Sequence, residues 1–197
     1  MEHTEQLRDL VMADPWRVRC LSVLRDVMPD VWIGAGFVRN LVWDWLGGQI
    51  RLPLDDVDIV YFDRQDIDEA TEKTFETVLR NAAPDIPWSV KNQARMHLKH
   101  GDDPYRDLVD GLGHWLETAT TVSVRFDGQN QMEILGPYGL QDLMAGILRP
   151  TASGYKRLGH LRRRAEDKGW LRRWPHVKFL SDDPAMSLSP FKVKVPL

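Results

Sequence analysis

The stretch WIGAGFVRNLVWDWLGGQIRLPLDDVDIVYFD, residues 32–63, sets a glycine-punctuated turn, a short helical pattern and two aspartates one residue apart close together in the chain. Val31-Trp32-Ile33 is strand-like and stops at Gly34. Val38, Leu41, Val42 and Trp45 then return at helical spacing until Gly47-Gly48 closes the helix. Leu52-Pro53-Leu54 leads into Asp55, Asp56 and Asp58, and the apolar run Ile59-Val60-Tyr61-Phe62 that follows predicts a buried central strand.

Both halves of this pattern carry chemistry. In a strand, residues i and i+2 share a face about 6–7 Å apart, so Asp56 and Asp58 present two carboxylates to one place. Two carboxylates completed by phosphate oxygens and water suit Mg²⁺, which rarely takes an all-protein cage. Two such ions, roughly 3.5–4 Å apart, clamp the attacking and leaving oxygens of an in-line phosphoryl displacement. The competing reading is that Asp55, Asp56 and Asp58 are turn and cap residues at a strand start. A calcium loop beginning at Asp56 is disfavoured because its sixth and twelfth positions hold Tyr61 and Ile67 instead of Gly and Glu. Phosphatases and glycosyltransferases with an Asp-x-Asp place the acids after an apolar strand, whereas here the apolar run comes second. Gly34 and Gly36 lack a Cβ and let backbone N–H groups approach a phosphate at a helix N-terminus, with Arg39 one turn in to reach the same anion. Alternatively they only turn a strand into a helix. The third glycine of a dinucleotide fingerprint and the Gly-Lys-Ser/Thr of a P-loop are both missing.

Outward from this stretch, Asp14-Pro15 predicts a helix start, with Cys20, Leu21, Leu24, Val27 and Met28 on one stripe. Asp66 with Glu69 resembles a capping pair before a helix carrying Phe75, Val78, Leu79 and Ala82. Trp88 to Asn92 reads as a short strand, and Thr121–Phe126 with Gln131–Leu135 as a hairpin. Leu140, Leu143, Met144, Ile147 and Leu148 predict one helix, residues 158–170 another, and Pro184 to Leu197 an extended tail. These elements divide into residues 1–150 and a basic helical segment with tail at 151–197.

At 197 residues, 43% hydrophobic and 28% charged, the chain has the composition of an ordinary globular protein. The net charge of −3 is uneven: residues 156–178 hold nine Lys and Arg against Glu166 and Asp167, giving +7 and leaving about −10 elsewhere. Such a segment favours an anionic partner, although a solvated helix face looks the same. A lone cysteine, no apolar membrane run and no apolar leader core make a cytoplasmic protein without a membrane span the expectation. His97, His100 and His114 lack zinc spacing, and the tryptophans serve packing or stacking.

Taken together, IGAGFVRNLVW followed by DDVDIVYFD resembles the polymerase beta-like nucleotidyltransferase superfamily, in particular the head of CCA-adding enzymes and poly(A) polymerases. SVKNQARMH at 89–97 and PYGLQDLMAGILRPT resemble a group of small bacterial nucleotidyltransferase-like proteins. The resemblance implies an α/β (α+β) fold with a small mixed sheet flanked by helices. It also implies Mg²⁺-dependent transfer of a nucleoside monophosphate from a triphosphate to an acceptor, RNA or a small molecule. On it, Asp56 and Asp58 hold metal, Gly34, Gly36 and Arg39 hold the nucleotide, and a third carboxylate on a later strand activates the acceptor hydroxyl. The sequence departs from the pattern at Ala35, at Asn40 and in residues 89–92, which contain no acid. Glu133 is the candidate third carboxylate, and Lys91 and Arg95 neutralise the triphosphate or form surface ion pairs. A non-catalytic nucleotide- or RNA-binding module on the same fold is the alternative.

Overall fold

Asp14 accepts the N–H groups of Trp16 and Arg17, and Pro15 opens the helix they begin, as the sequence predicts. The computed structural model describes residues 2–185 and 190–195. Its helices are α1 (Glu2–Met12), α2 (Pro15–Val27), α3 (Gly36–Leu46), α4 (Glu69–Ala82), α5 (Gln93–His100), α6 (Leu108–Gly113), α7 (Gln141–Met144), α8 (Ala152–Lys156), α9 (Leu158–Asp167) and α10 (Trp170–Arg173). The strands are β1 (Trp32–Ile33), β2 (Val57–Tyr61), β3 (Trp88–Asn92), β4 (Ser123–Phe126), β5 (Met132–Gly136), β6 (Ile147–Leu148), β7 (Lys178–Phe179) and β8 (Phe191–Val195).

Six strands form one mixed sheet in the order β3-β2-β1-β4-β5-β8, parallel between β2 and β3 and antiparallel at its other pairings. Register fixes the faces. Ile59, Ile33, Val124 and Ile134 are paired in one row, all buried, and join the main core with Leu7 of α1, Leu21 of α2, Phe37 of α3 and Leu79 of α4. On the other face Trp32, Val60 and Leu135 pack with Leu112 of α6 in a smaller cluster. Asp58, two residues before Val60 on β2, belongs to this second face.

Two elements differ from expectation. The apolar spacing from Leu140 to Leu148 does not make one helix: Gly146, at φ +65°, ends α7, and Ile147-Leu148 instead pairs with Lys178-Phe179. Residues 191–195 are not a free tail, because β8 pairs with β5 along its whole length and Val195 is buried in the main core. Residues 186–189 and 196–197 of the expected tail lie outside the described residues. Leu161, Ala165, Trp170, Trp174 and Val177 share that same core, so residues before and after 150 pack as one body.

Candidate active site

The turn after β1 is built by close backbone approach. The Gly34 N–H donates to the Asp58 carbonyl at 3.0 Å, which locks the turn to β2. A Cβ on Gly34 would lie 2.6 Å from Ser123 Oγ on β4, so only glycine fits there without displacing that hydroxyl. Ala35 follows at φ 51°, ψ −125°, a conformation L side chains rarely adopt, and it opens α3 without a side-chain cap. Of the first N–H groups of α3, that of Phe37 donates to the Gly34 carbonyl at 3.2 Å, and Ala35 offers no side-chain cap to those of Gly36 and Val38.

Across this turn stands the acid pair. Asp58 is half-buried within β2 and Asp56 is exposed just before it. Burial, reinforced by the Asp56 charge, pushes the Asp58 carboxyl up to about 6, against the opposing pull of Arg164, Arg39 and Lys91. Among the described residues no group of three His, Cys, Asp or Glu side chains is placed to hold a metal ion. The donor set thus offers a hard cation two carboxylates, and phosphate oxygens with water would complete its shell.

Arg39 is buried beside the acids. Its Nη2 donates to Asn40 Oδ1 at 2.8 Å, while Nε and Nη1 have no hydrogen-bond partner. The guanidinium stacks 4.2 Å from the ring centre of Trp170 on α10. Burial, partly offset by Glu117, lowers its pKa to about 10. Glu117, itself fully buried, is raised by burial against the charges of Arg164 and Arg39. Neither Glu117 nor Arg164 stands in a motif of the sequence; the basic run containing Arg164 is the signal that points toward it.

The other expected residues lie elsewhere. Lys91 Nζ sits 3.1 Å from Glu72, and Arg95 donates to Glu72 from Nε and Nη2 at 3.1 and 2.9 Å. Both are thus occupied in ion pairs with α4, although Lys91 still acts on Asp58 electrostatically. Asn92 is structural: its side chain accepts the Ala94 and Asp63 N–H groups and donates to the Asp63 and Asp66 carbonyls. Glu133 shares the Asp58 face, but β1 and β4 stand between β5 and β2, a separation of about 14 Å at ordinary strand spacing. There it pairs with Arg125 at 2.6 Å and with Lys194 and Lys192 at 3.7 and 3.8 Å. The structure does not bring it to the acid pair. The three histidines gather around Tyr105: His114 stacks on its ring at 4.4 Å, His97 meets it edge-on at 6.0 Å, and His100 Nδ1 lies 3.1 Å from its hydroxyl.

A mixed sheet that sets a glycine turn and an uncapped helix start against an acid pair on the adjoining strand defines a polymerase beta-like nucleotidyltransferase fold. The chain belongs to the nucleotidyltransferase family, whose model matches residues 23–179. It is also similar to a solved NMR structure that reveals a CCA-adding enzyme head domain, with 28% identity, a TM-score of 0.73, and coverage of 87% of this chain and 94% of that one. No curated protein matches the chain. The protein is accordingly an enzyme of nucleotidyl transfer, and the family implies a nucleoside triphosphate as substrate. Among the described residues no helix is long and apolar enough to cross a membrane.

Proposed function

We propose that this protein transfers a nucleoside monophosphate from a Mg²⁺-bound triphosphate to a hydroxyl of an RNA acceptor, releasing pyrophosphate. The observation that carries the reading is the acid pair facing a buried arginine with two unpartnered nitrogens across an uncapped helix start. Asp56 and Asp58 would hold the metal, which when bound neutralises phosphate charge and polarises the phosphoryl group. Gly34 and Gly36 admit the phosphates to the α3 N–H groups, and Arg39 offsets their charge. In the reaction the acceptor oxygen bonds to the α-phosphorus, its proton passes to solvent, the bond from the α-phosphorus to the α–β bridging oxygen breaks, and pyrophosphate departs. Lys91 acts at longer range on Asp58, and Arg95 through Lys91's partner Glu72.

RNA is favoured over a small-molecule acceptor because Arg162, Arg163, Lys168 and Arg172 are exposed on α9 and its continuation, the helix whose Arg164 reaches the site. The buried, unpaired Cys20 fits a reducing cytoplasmic setting. Pyrophosphate release, assayed with Mg²⁺, each triphosphate and either RNA or small alcohols, tests the reading. Asp58→Asn is expected to abolish Mg²⁺-dependent triphosphate binding and release while keeping the wild-type circular dichroism spectrum. A folded variant with unchanged Mg²⁺-dependent affinity would overturn the metal assignment, and triphosphate binding without any release would leave a binding module.

A further inference from the structure

The geometry points to Arg164, on the basic helix α9, as a second nucleotide-binding residue that closes with Arg39 into a two-arginine clamp on the polyphosphate. This assignment rests on the proposed triphosphate site and extends it to a segment more than 120 residues further along the chain.

Trp170 carries both guanidinium groups, with Arg39 at 4.2 Å and Arg164 at 5.3 Å from its ring centre. Glu117 lies between their charges, yet neither arginine is hydrogen-bonded to it. Its Oε1 is 3.9 Å from Arg39 Nη1 and 4.0 Å from Arg164 Nε, and it is taken instead by the Thr120 hydroxyl at 2.9 Å. A buried donor left unsatisfied forfeits its hydrogen bonds to water without replacing them. Arg39 has two such nitrogens, and the fold retains them in that state. A Cβ on Gly36 would sit 3.8 Å from Arg39 Nη2, so the guanidinium stands against the start of α3. Arg164 acts directly on the Asp58 charge, and Arg39 interacts with both Asp56 and Asp58. The two cations therefore stand on one aromatic ring, 3.9 and 4.0 Å from Glu117 Oε1, with Arg39 against the helix start and the charges of the acid pair within electrostatic reach. A polyphosphate with its cation matches the chemistry of that grouping: anionic oxygens for the guanidinium forks, and a metal for the carboxylates. Because Glu117 Oε1 accepts from Thr120 and stays 3.9 and 4.0 Å from the arginines, it leaves both guanidinium groups free to hydrogen-bond a ligand.

Arg164 is 41% exposed in its side chain, so its replacement leaves the core intact. Affinities of inorganic tripolyphosphate and of Mg²⁺-bound triphosphate would be measured calorimetrically for wild type, Arg164→Gln, Arg39→Lys and Arg80→Gln. The expected result is a tenfold or greater loss for Arg164→Gln with both probes, a loss for Arg39→Lys because the fork is gone, and a change under twofold for the exposed Arg80→Gln on α4. An Arg164→Gln protein that binds both probes as wild type does, while Arg39→Lys is weakened, overturns the clamp and leaves the triphosphate site standing. A wild-type protein that binds neither probe overturns the underlying site together with the clamp.

Discussion

Asp58 titrates where its neighbours place it. Its carboxyl is lifted to about 6 from an ordinary 3.8, by burial first and by Asp56 second. Because the folded-state value is raised, its contribution to stability is complete below pH 3.8 and is lost as the pH rises through 6. A cation on the acid pair offsets that loss, so the Mg²⁺-induced rise in Tm is expected to be small at pH 5 and near its maximum by pH 7.5. Carboxyl-carbon NMR should find Asp58 near 6 in the metal-free protein and lower in Asp56→Asn; a value near 4 in wild type would refute the assigned coupling. The pair itself was legible in the sequence, since alternation along a strand depends only on local geometry. Glu133 was misjudged because alternation gives the face of a residue and not its column in the sheet. Glu117 was invisible, as it sits outside any regular element apart from an isolated bridge to Pro150, and its arginine neighbours come from distant segments.

Helix α4 shows how an element is held by polar groups the pattern hides. Glu72 and Glu76 look like solvent-facing acids on an amphipathic helix, but both are buried. Glu72 accepts the Asn92 N–H at 3.0 Å and Glu76 the Val90 N–H at 3.1 Å, so they satisfy the outer edge of β3 as another strand would. Burial opposes ionisation of Glu72, yet the hydrogen bonds from Arg95, the Asn92 N–H and Lys91 hold it below the usual carboxylate range. Glu72→Ala leaves a strand N–H and two cations without their partner, and a loss of about 3–5 kcal/mol in urea denaturation is expected. Glu69→Ala, which removes an exposed carboxylate 3.6 Å from Arg95, should cost under about 1 kcal/mol. Comparable losses for the two would mean that burial does not set the strength of these pairs. The helix itself was legible from its apolar spacing; the purpose of its acids depends on an edge formed by a separate strand.

At the scale of the whole molecule, α3 joins the nucleotide turn to the basic segment. Trp43 meets Trp174 edge-on at 5.3 Å and Trp170 at 6.2 Å, while Asp44 accepts from Trp174 Nε1 at 2.7 Å and from Arg173 at 3.0 Å. Trp174→Ala removes a buried ring and one Asp44 partner together, and a loss of about 3–5 kcal/mol is expected. Triphosphate affinity should fall with it, because Trp170 of the same cluster supports Arg39. A stable Trp174→Ala protein with full affinity would show that the basic segment is an appendage. The sequence showed the segment's charge and its helix, but not its docking, since tryptophans at 43, 170 and 174 carry no signal of mutual contact across such a separation. That separation also orders events in time. Asp44 and Trp174 are 130 residues apart, and at about 5–20 residues per second a ribosome that has completed the sheet's inner strands at Gly136 needs roughly 2–8 seconds more to supply the indole. Throughout that interval the nascent chain carries an uncovered Trp43 and an unpaired Asp44 beside a nucleotide turn already made.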